Sequence, residues 1–340
     1  MDTGATDGCR QIAESYGARI FDLEFPGAFD AAYNFCIEKV ETEWTLYLDS
    51  DEWLPEESGP MLRAAIEKED AFAYHLIRRD LDGKGGFTEM RMLRLWRTHP
   101  DMRLVGVIHS QFPDEVLNRS KGNRKILDSE IRFLHDGFAG PPQPEKIRRN
   151  IELIEKELKL RPGQPYFEAN LAIEYLNLGD PKGDALSKKL VDEALANPAR
   201  GPSCRDLSFL FSDALRRCPA EALRSKRTTQ IIELSWRWFS GLPYVIWGVA
   251  VAEEKRGNLS ESYRALKVLE QMADSGEYVR YSSFNPEVLG NPMRLMLMLA
   301  AIRANDAGIA IRNAKKVLEA DPAQPLAQKV VTEFTKLGLK

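Results

Sequence analysis

Trp44-Thr-Leu-Tyr-Leu-Asp49-Ser-Asp51-Glu52 is the stretch whose reading decides the fold. It opens as an uncharged run rich in aromatic and β-favouring residues, and it closes on three carboxylates. The run reads as a strand buried on both faces, and the carboxylates mark where it leaves the sheet. Ligands of open α/β sheets collect at the carboxyl ends of strands, so Asp49 and Asp51 are expected at the rim of a crevice. Two carboxylates two residues apart in an extended chain point the same way. Such a pair suits Mg2+ or Mn2+, hard cations that also take oxygens from a substrate phosphate. On the tripeptide alone, the same residues more readily suit an acidic turn that caps the next segment.

Toward the N-terminus, Met1-Asp-Thr-Gly-Ala-Thr-Asp-Gly-Cys9 is a turn of small and acidic residues. Thr6 or Asp7 can cap a short helix that Gly17 ends in the left-handed conformation, with Ile12, Ala13 and Tyr16 as its apolar face. Ala18 to Leu23 reads as a strand. Ala28 to Val40 reads as a helix with Phe29, Ala32, Tyr33, Cys36, Ile37 and Val40 on one stripe. Helix, strand, helix, strand is the rhythm of a parallel sheet with crossover helices. It starts in mid-phrase, and a strand is expected before Asp2.

Toward the C-terminus, a short amphipathic helix runs to about Lys68. Ala71 to Arg79 and Phe87 to Trp96 then form a hairpin across a Gly-rich turn at Asp80 to Gly86. Val105 to Phe112 and Ile126 to Leu134 read as further strands, and Ala139-Gly-Pro-Pro-Gln-Pro144 as a linker. From Glu145 onward only helical periodicity remains, broken at Pro162-Gly163, Gly179-Asp180, Asn197-Pro198, Gly257-Asn258, Asn291-Pro292 and Asp321-Pro322. Pro165 to Pro198 approximates the tetratricopeptide repeat of about 34 residues, with an insertion near Lys182. Val245 to Ala273 and Met293 to Pro322 resemble weaker copies. Such a solenoid leaves a concave face for a partner, whereas an irregular bundle does not. The expected division is 1–140 and 141–340.

With 340 residues the chain has room for two cores, and its 44% apolar and 29% charged content is that of a soluble globular protein. A net charge of −4 with no basic run argues against a general nucleic-acid binder. Cys9, Cys36, Cys204 and Cys218 lack metal-ligand spacing and fit reduced thiols in the cytoplasm. The stretch Leu242 to Ala252 is too short to span a bilayer, and no signal peptide opens the chain.

Several of these landmarks, taken in order, resemble family 2 glycosyltransferases with the GT-A fold. They are Asp2 to Cys9, Phe29-Asp-Ala-Ala-Tyr-Asn-Phe35, Trp44 to Trp53, Arg91 to Arg97, Val105-Gly-Val-Ile-His109 and His135-Asp-Gly-Phe138. The helical continuation from Lys146 resembles a bacterial subgroup that fuses the transferase to tetratricopeptide repeats. The resemblance implies an α/β, Rossmann-like mixed sheet lacking its first strand, followed by an all-α repeat domain. It also implies a metal-dependent enzyme that moves a sugar from a nucleotide-diphosphate sugar, most often a UDP-sugar, to a protein, peptide or cell-envelope glycan acceptor. Asp2, Thr3, Asp7, Asp49 and Arg94 would hold the donor. Asp49 and Asp51, with His135 as a further ligand, would hold Mn2+ or Mg2+, Asp51 binding directly. The repeats would engage a protein or peptide partner.

Inverting transfer needs a general base. His109 and Ser110 stand where relatives carry His-Glu, and a serine hydroxyl does not accept protons at neutral pH. His109 and His135 each follow an expected strand; His75 and His99 read as hydrogen-bonded surface residues. Arg91, Arg94 and Arg97 alternate with apolar residues, so one of them either grips a diphosphate or all lie on the wet face of a strand. Trp236, Trp238, Tyr244 and Trp247 read as core more readily than as an acceptor groove. The alternative to an enzyme is a non-catalytic transferase remnant that binds proteins through its repeats. A two-metal nuclease or phosphatase would need further carboxylates.

Overall fold

This computed structural model describes residues 1–137, 140, 143–199 and 207–338. Phe138, Cys204 and linker residues Ala139, Pro141 and Pro142 lie outside the described residues. Two compact units emerge: Met1–Gly85 with Arg91–Asp184, and Gly86–Met90 with Ala185–Lys340.

Up to the helical region the elements run α1 (Cys9–Ser15), α2 (Phe29–Ile37), β1 (Trp44–Leu46), β2 (Glu52–Trp53), α3 (Ser58–Ile66), β3 (Ala71–Leu81), β4 (Phe87–Arg97), α4 (Asp114–Lys121) and β5 (Lys125–His135), all in the first unit except the start of β4. The five strands form one sheet in the order β1-β4-β3-β5-β2. β3 and β5 are parallel, whereas β1 with β4 and β2 with β5 are antiparallel, so the sheet is mixed. Gly83 and Gly85, both left-handed at φ 69° and 91°, close the expected β3–β4 turn.

Burial on both sheet faces explains the hydrophobic runs of β3 and β5. Tyr74, Leu76, Leu95, Ile131 and Phe133 pack with Ala65 of α3 on one face. Phe72, Trp96, Met102 and Leu104 pack with Ile37 of α2 on the other. α4 adds Val116 and Leu117 to that second core. The sequence signalled α4 through Pro113 ahead of Asp114-Glu115, a good helix start, and Gly122 at its end.

Four sequence expectations are corrected here. Ala18–Leu23 is not a strand: Asp22 makes a single parallel bridge, to Asp2, and one residue of partner cannot build a ladder. β1 stands at one end of the strand order and alternates half-buried, buried, half-buried, so it is not a strand enclosed on both faces. Val105–Phe112 is a turn held by one Val105–Gln111 bridge, because Gly106 at φ 127° and His109 at φ 52° bend it out of strand geometry. Of the apolar face expected for the first helix, Ile12 and Tyr16 are 61% and 87% exposed and only Ala13 is half-buried.

Beyond β5 come α5 (Pro144–Leu160), α6 (Pro165–Leu178) and α7 (Pro181–Ala196). Ile154 and Phe167, from α5 and α6, bury against Val107 and Ile108 of the first unit. The change of element type thus falls near residue 140, while the compact unit extends to Asp184. α6 and α7 form the expected helical hairpin, with Gly179 as a left-handed cap. Gly183 lets the helices close up, since a Cβ there would lie 2.6 Å from the Leu176 nitrogen. α7 starts at Pro181 and runs on, so there is no insertion near Lys182.

The second unit contains α8 (Ser208–Arg216), α9 (Lys226–Phe239), α10 (Pro243–Arg256), α11 (Leu259–Ser275), α12 (Asn291–Arg303), α13 (Ala307–Ala320) and α14 (Pro325–Lys336). α10–α11 and α12–α13 are hairpins where the two weaker repeats were expected. Fully buried Ala265, Leu266, Met298, Ala314 and Val317 fill the helix contacts. Of that aromatic group Tyr244 is buried, while Trp236, Trp238 and Trp247 are half-buried, Trp238 against Phe211 and Trp236 beneath Arg264.

Candidate functional site

The chain leaves β1 and turns: the Glu52 amide donates to the Asp49 carbonyl at 3.1 Å. This i to i+3 bond reverses the chain over Asp49–Glu52, so the two aspartates of the motif are not side by side on an extended strand. Each carboxylate has its own surroundings.

Asp49 faces inward. Tyr47 and Tyr33 donate to its Oδ1 at 2.6 and 3.3 Å, and Arg94 reaches its Oδ2 at 3.3 Å. The neighbouring carboxylate and burial push the Tyr33 phenol up to about 12 and the Tyr47 phenol higher still, burial being the larger cause in both. Both therefore stay protonated donors. Glu52 is buried as well: its Oε2 accepts the Asp49 amide at 2.9 Å and its Oε1 accepts from Arg94 at 2.7 Å. Burial holds its carboxyl above the usual range, opposed by the Arg94 charge. Arg94 is itself only 3% exposed and lies over the Tyr47 ring at 4.2 Å. It is the buried clasp of the acidic turn and not a hand free for a ligand, which corrects its expected donor contact.

Asp51 faces the other way, toward the end of β5. The β2–β5 ladder pairs Glu52 with His135, and the β3–β5 ladder pairs Asp80 with His135. Three adjacent strand ends thereby bring one imidazole between two carboxylates. His135 Nδ1 bonds Asp80 Oδ1 at 2.6 Å, and its Nε2 lies 3.4 Å from Asp51 Oδ2. Arg78, two residues before Asp80 on the same face of β3, meets Asp80 Oδ1 at 2.9 Å. Burial works against the imidazolium, but the Asp80 bond and charge outweigh it and raise the His135 value.

Gly137 stands directly over this pair. A Cβ there would come within 2.5 Å of His135 Nε2 and 2.7 Å of Asp51 Oδ2. The glycine keeps open the space in front of both polar atoms. Among the described residues no group of three or more His, Cys, Asp or Glu side chains converges to hold a metal by itself. Of the expected trio, Asp51 and His135 stand together, whereas Asp49 lies apart with Tyr33, Tyr47 and Arg94.

His109 lies in the turn that follows Met102 and Leu104. Its backbone is left-handed without being glycine, a strained state that persists only where the surroundings impose it. They do: Val107 donates its amide to Glu157 Oε2 at 2.8 Å, Gly106 donates to Asp30 Oδ2 at 3.0 Å, and the Phe29 amide holds the Val107 carbonyl at 2.8 Å. Surrounding protein and the Arg78 guanidinium push the imidazole down to about 4. The residue nonetheless keeps an exposed surface, so geometry marks it more firmly than charge. Ser110 donates to the Gly106 carbonyl at 2.7 Å and serves the turn.

Asp2 organises its own turn by accepting from the amides of Gly4 and Ala5, and those bonds hold its carboxyl low. Thr3 and Asp7 are exposed. No hydrogen bond or ion pair among the described residues links these three to the acidic turn. Arg91 is buried against Glu130, and Arg97 spans Glu43 and the Ala71 carbonyl, so neither lies on a wet strand face. His75 bonds Asp128 and His99 accepts from the Asp101 amide, as surface histidines do. A cavity of about 560 Å³ lies at the opposite strand ends, lined by Glu43, Phe72, Arg97, His99 and Arg124, and neither the acidic turn nor His135 lines it.

Residues 1–127 match the model of glycosyl transferase family 2. The chain fits a family 2 glycosyltransferase domain joined to TPR-like helices. A TPR repeat-containing protein of Synechococcus elongatus is 32% identical over 117 residues, 34% of this chain and 29% of that relative. The chain thus matches under a third of the relative's length. The crystal structure of a thermophilic TPR protein of Thermus thermophilus superposes with a TM-score of 0.29 at 15% identity, over 56% of this chain and 90% of that one. The match over residues 1–127 points to glycosyl transfer in general. No helix among the described residues is long and apolar enough to cross a membrane.

Asp80, Gly137 and Arg78 are site residues to which sequence reading gave no role, and Glu52 was read only as the third carboxylate of the opening stretch. The register of β2, β3 and β5 is what brings them together. A signal existed for one: Gly137 follows His135 in a motif already singled out.

Proposed function

We propose that this chain is a metal-dependent glycosyltransferase that uses a nucleotide-diphosphate sugar, with a UDP-sugar as the first donor to test. One observation carries the reading: the Asp80–His135–Asp51 arrangement beneath Gly137. A metal-ligating histidine characteristically gives its second ring nitrogen to a carboxylate, which fixes tautomer and orientation. Asp80 does this here and leaves Nε2 toward Asp51. Two protein ligands suit Mg2+ or Mn2+, which keep waters and take the remaining oxygens from substrate phosphates.

A cation held by Asp51 and His135 would offset the charge that builds on the departing nucleoside diphosphate. Asp49 acts through the turn, where two phenols and Arg94 fix it. His109, held in a left-handed backbone, would take the acceptor's proton in this reading. Residues 1–140 supply the chemistry in this reading, and 141–340 present a protein or peptide acceptor, in the cytoplasm.

Ser110 favours the second reading, a non-catalytic remnant acting as a protein-binding module, because its hydroxyl is committed to a carbonyl. Release of UDP from UDP-sugars in the presence of Mn2+ separates the two. Turnover that disappears in His135→Gln supports the enzyme; no turnover with any common donor supports the remnant.

A further inference from the structure

We propose that Glu157 of α5 is a positioning residue for the transfer step: it sets the turn that presents His109. The inference rests on the reading of His109 as the group that takes the acceptor's proton. It extends the working site beyond residues 1–127, the part that matches the family.

Two helices hold this turn. From α2, Asn34 brackets Leu104, accepting its amide at 2.9 Å and donating to its carbonyl at 2.8 Å. Asp30 accepts the Gly106 amide, and the Phe29 amide donates to the Val107 carbonyl. A buried backbone donor has to be paired, and the amide of buried Val107 goes to α5, where Glu157 Oε2 accepts it at 2.8 Å. That acceptor lies 50 residues along the chain, and the amide it holds is two residues before His109.

Glu157 is itself held fast. Arg161 meets both its oxygens at 2.5 Å, and Gln164 donates to Oε1 at 3.2 Å. Val107 and Ile108 pack with Leu153, Ile154 and Phe167 around it, and Lys156 donates to the Gly27 carbonyl at 2.8 Å, just ahead of α2. A carboxylate clamped in this way cannot follow the turn, so the turn takes its place from the carboxylate. His109 has φ 52° without being glycine, a backbone state that persists only where its surroundings impose it. With the Val107 bond removed, residues 107–109 can relax and carry the imidazole with them. A displacement of about 1 Å at a reacting group can cost on the order of 100-fold in rate.

The test measures UDP release from a UDP-sugar with Mn2+ by the full chain, together with hydrogen exchange of residues 104–111, at a temperature where every variant is folded. Glu157→Leu removes the acceptor and should lower kcat by about 10- to 100-fold with KM for the UDP-sugar unchanged. Exchange at 104–111 should quicken while β3 keeps its protection. Glu157→Asp keeps the charge beside Arg161 but is one methylene short of Val107, so it should lose kcat too and repeats the test if Glu157→Leu folds poorly. Glu157→Gln still offers Val107 a carbonyl and should keep its kcat despite lower stability, which a merely structural role does not predict. Unchanged kcat in Glu157→Leu and Glu157→Asp, or a loss in Glu157→Gln as deep as theirs, overturns the assignment to Glu157. A wild type without turnover, or a His109→Gln variant as active as wild type, overturns the reading of His109 itself, and the assignment with it.

Discussion

Arg94 shows how one residue changes meaning between sequence and structure. In the alternating run Arg91 to Arg97 it can serve a ligand or lie in water; in the fold it is buried with Glu52, and its Nε and Nη1 have no hydrogen-bond partner among the described residues. Removing one member of a buried pair leaves the other charge uncompensated. Arg94→Met should therefore lower unfolding stability by about 3–5 kcal/mol, read from urea denaturation. Arg94→Met combined with Glu52→Leu should recover much of that loss. A single variant as stable as wild type would show that the pair does not clasp the turn. Asp51 and His135 were legible as polar residues at strand ends, and Arg94 as one of the arginines alternating along a strand. Asp80 and Gly137 were not, because a hydrogen bond to an imidazole 55 residues away and a glycine's missing Cβ leave no local pattern.

Elements were legible where periodicity was strong and partners were plentiful. β3, β4, β5 and the hairpins of the second unit fall where alternation and glycine punctuation put them. The failures share a cause: Ala18–Leu23 and Val105–Phe112 have strand-like composition, but strands exist only through pairing. The turn at 105–111 is instead held from outside, and Glu157 of α5 is its main anchor. That carboxylate is fully buried, bonded to Val107, Arg161 and Gln164. Burial alone would raise its value, but Arg161 and these donors outweigh it and hold it below the ordinary glutamate range.

A lowered carboxyl stabilises the fold above the unfolded value, and the contribution is lost as pH falls through the folded one. Glu157→Gln should thus be less stable than wild type by about 1–3 kcal/mol near neutrality. The gap should narrow as pH falls from about 5 toward 3, through the range where glutamates protonate. Thermal unfolding of both proteins across that range checks it. A gap that stays constant with pH would mean the charge of Glu157 contributes nothing.

The whole molecule joins a mixed sheet, whose strand ends bear the candidate site, to a succession of helical hairpins. Composition and punctuation made that division visible at once; the assignment of α5 and α6 to the first unit was hidden, since helical periodicity does not say what a helix packs against. The central claim concerns the first unit: that Asp51 and His135 hold a divalent cation together with a nucleoside diphosphate. Ligands that bind only the folded state raise its stability. The decisive measurement is thermal unfolding of the full chain with UDP, with and without Mn2+, in wild type and Asp51→Ala. The account predicts an upward shift that requires both UDP and Mn2+ and vanishes in Asp51→Ala. A well-folded wild type that shows no shift, or a shift that Asp51→Ala retains, contradicts it.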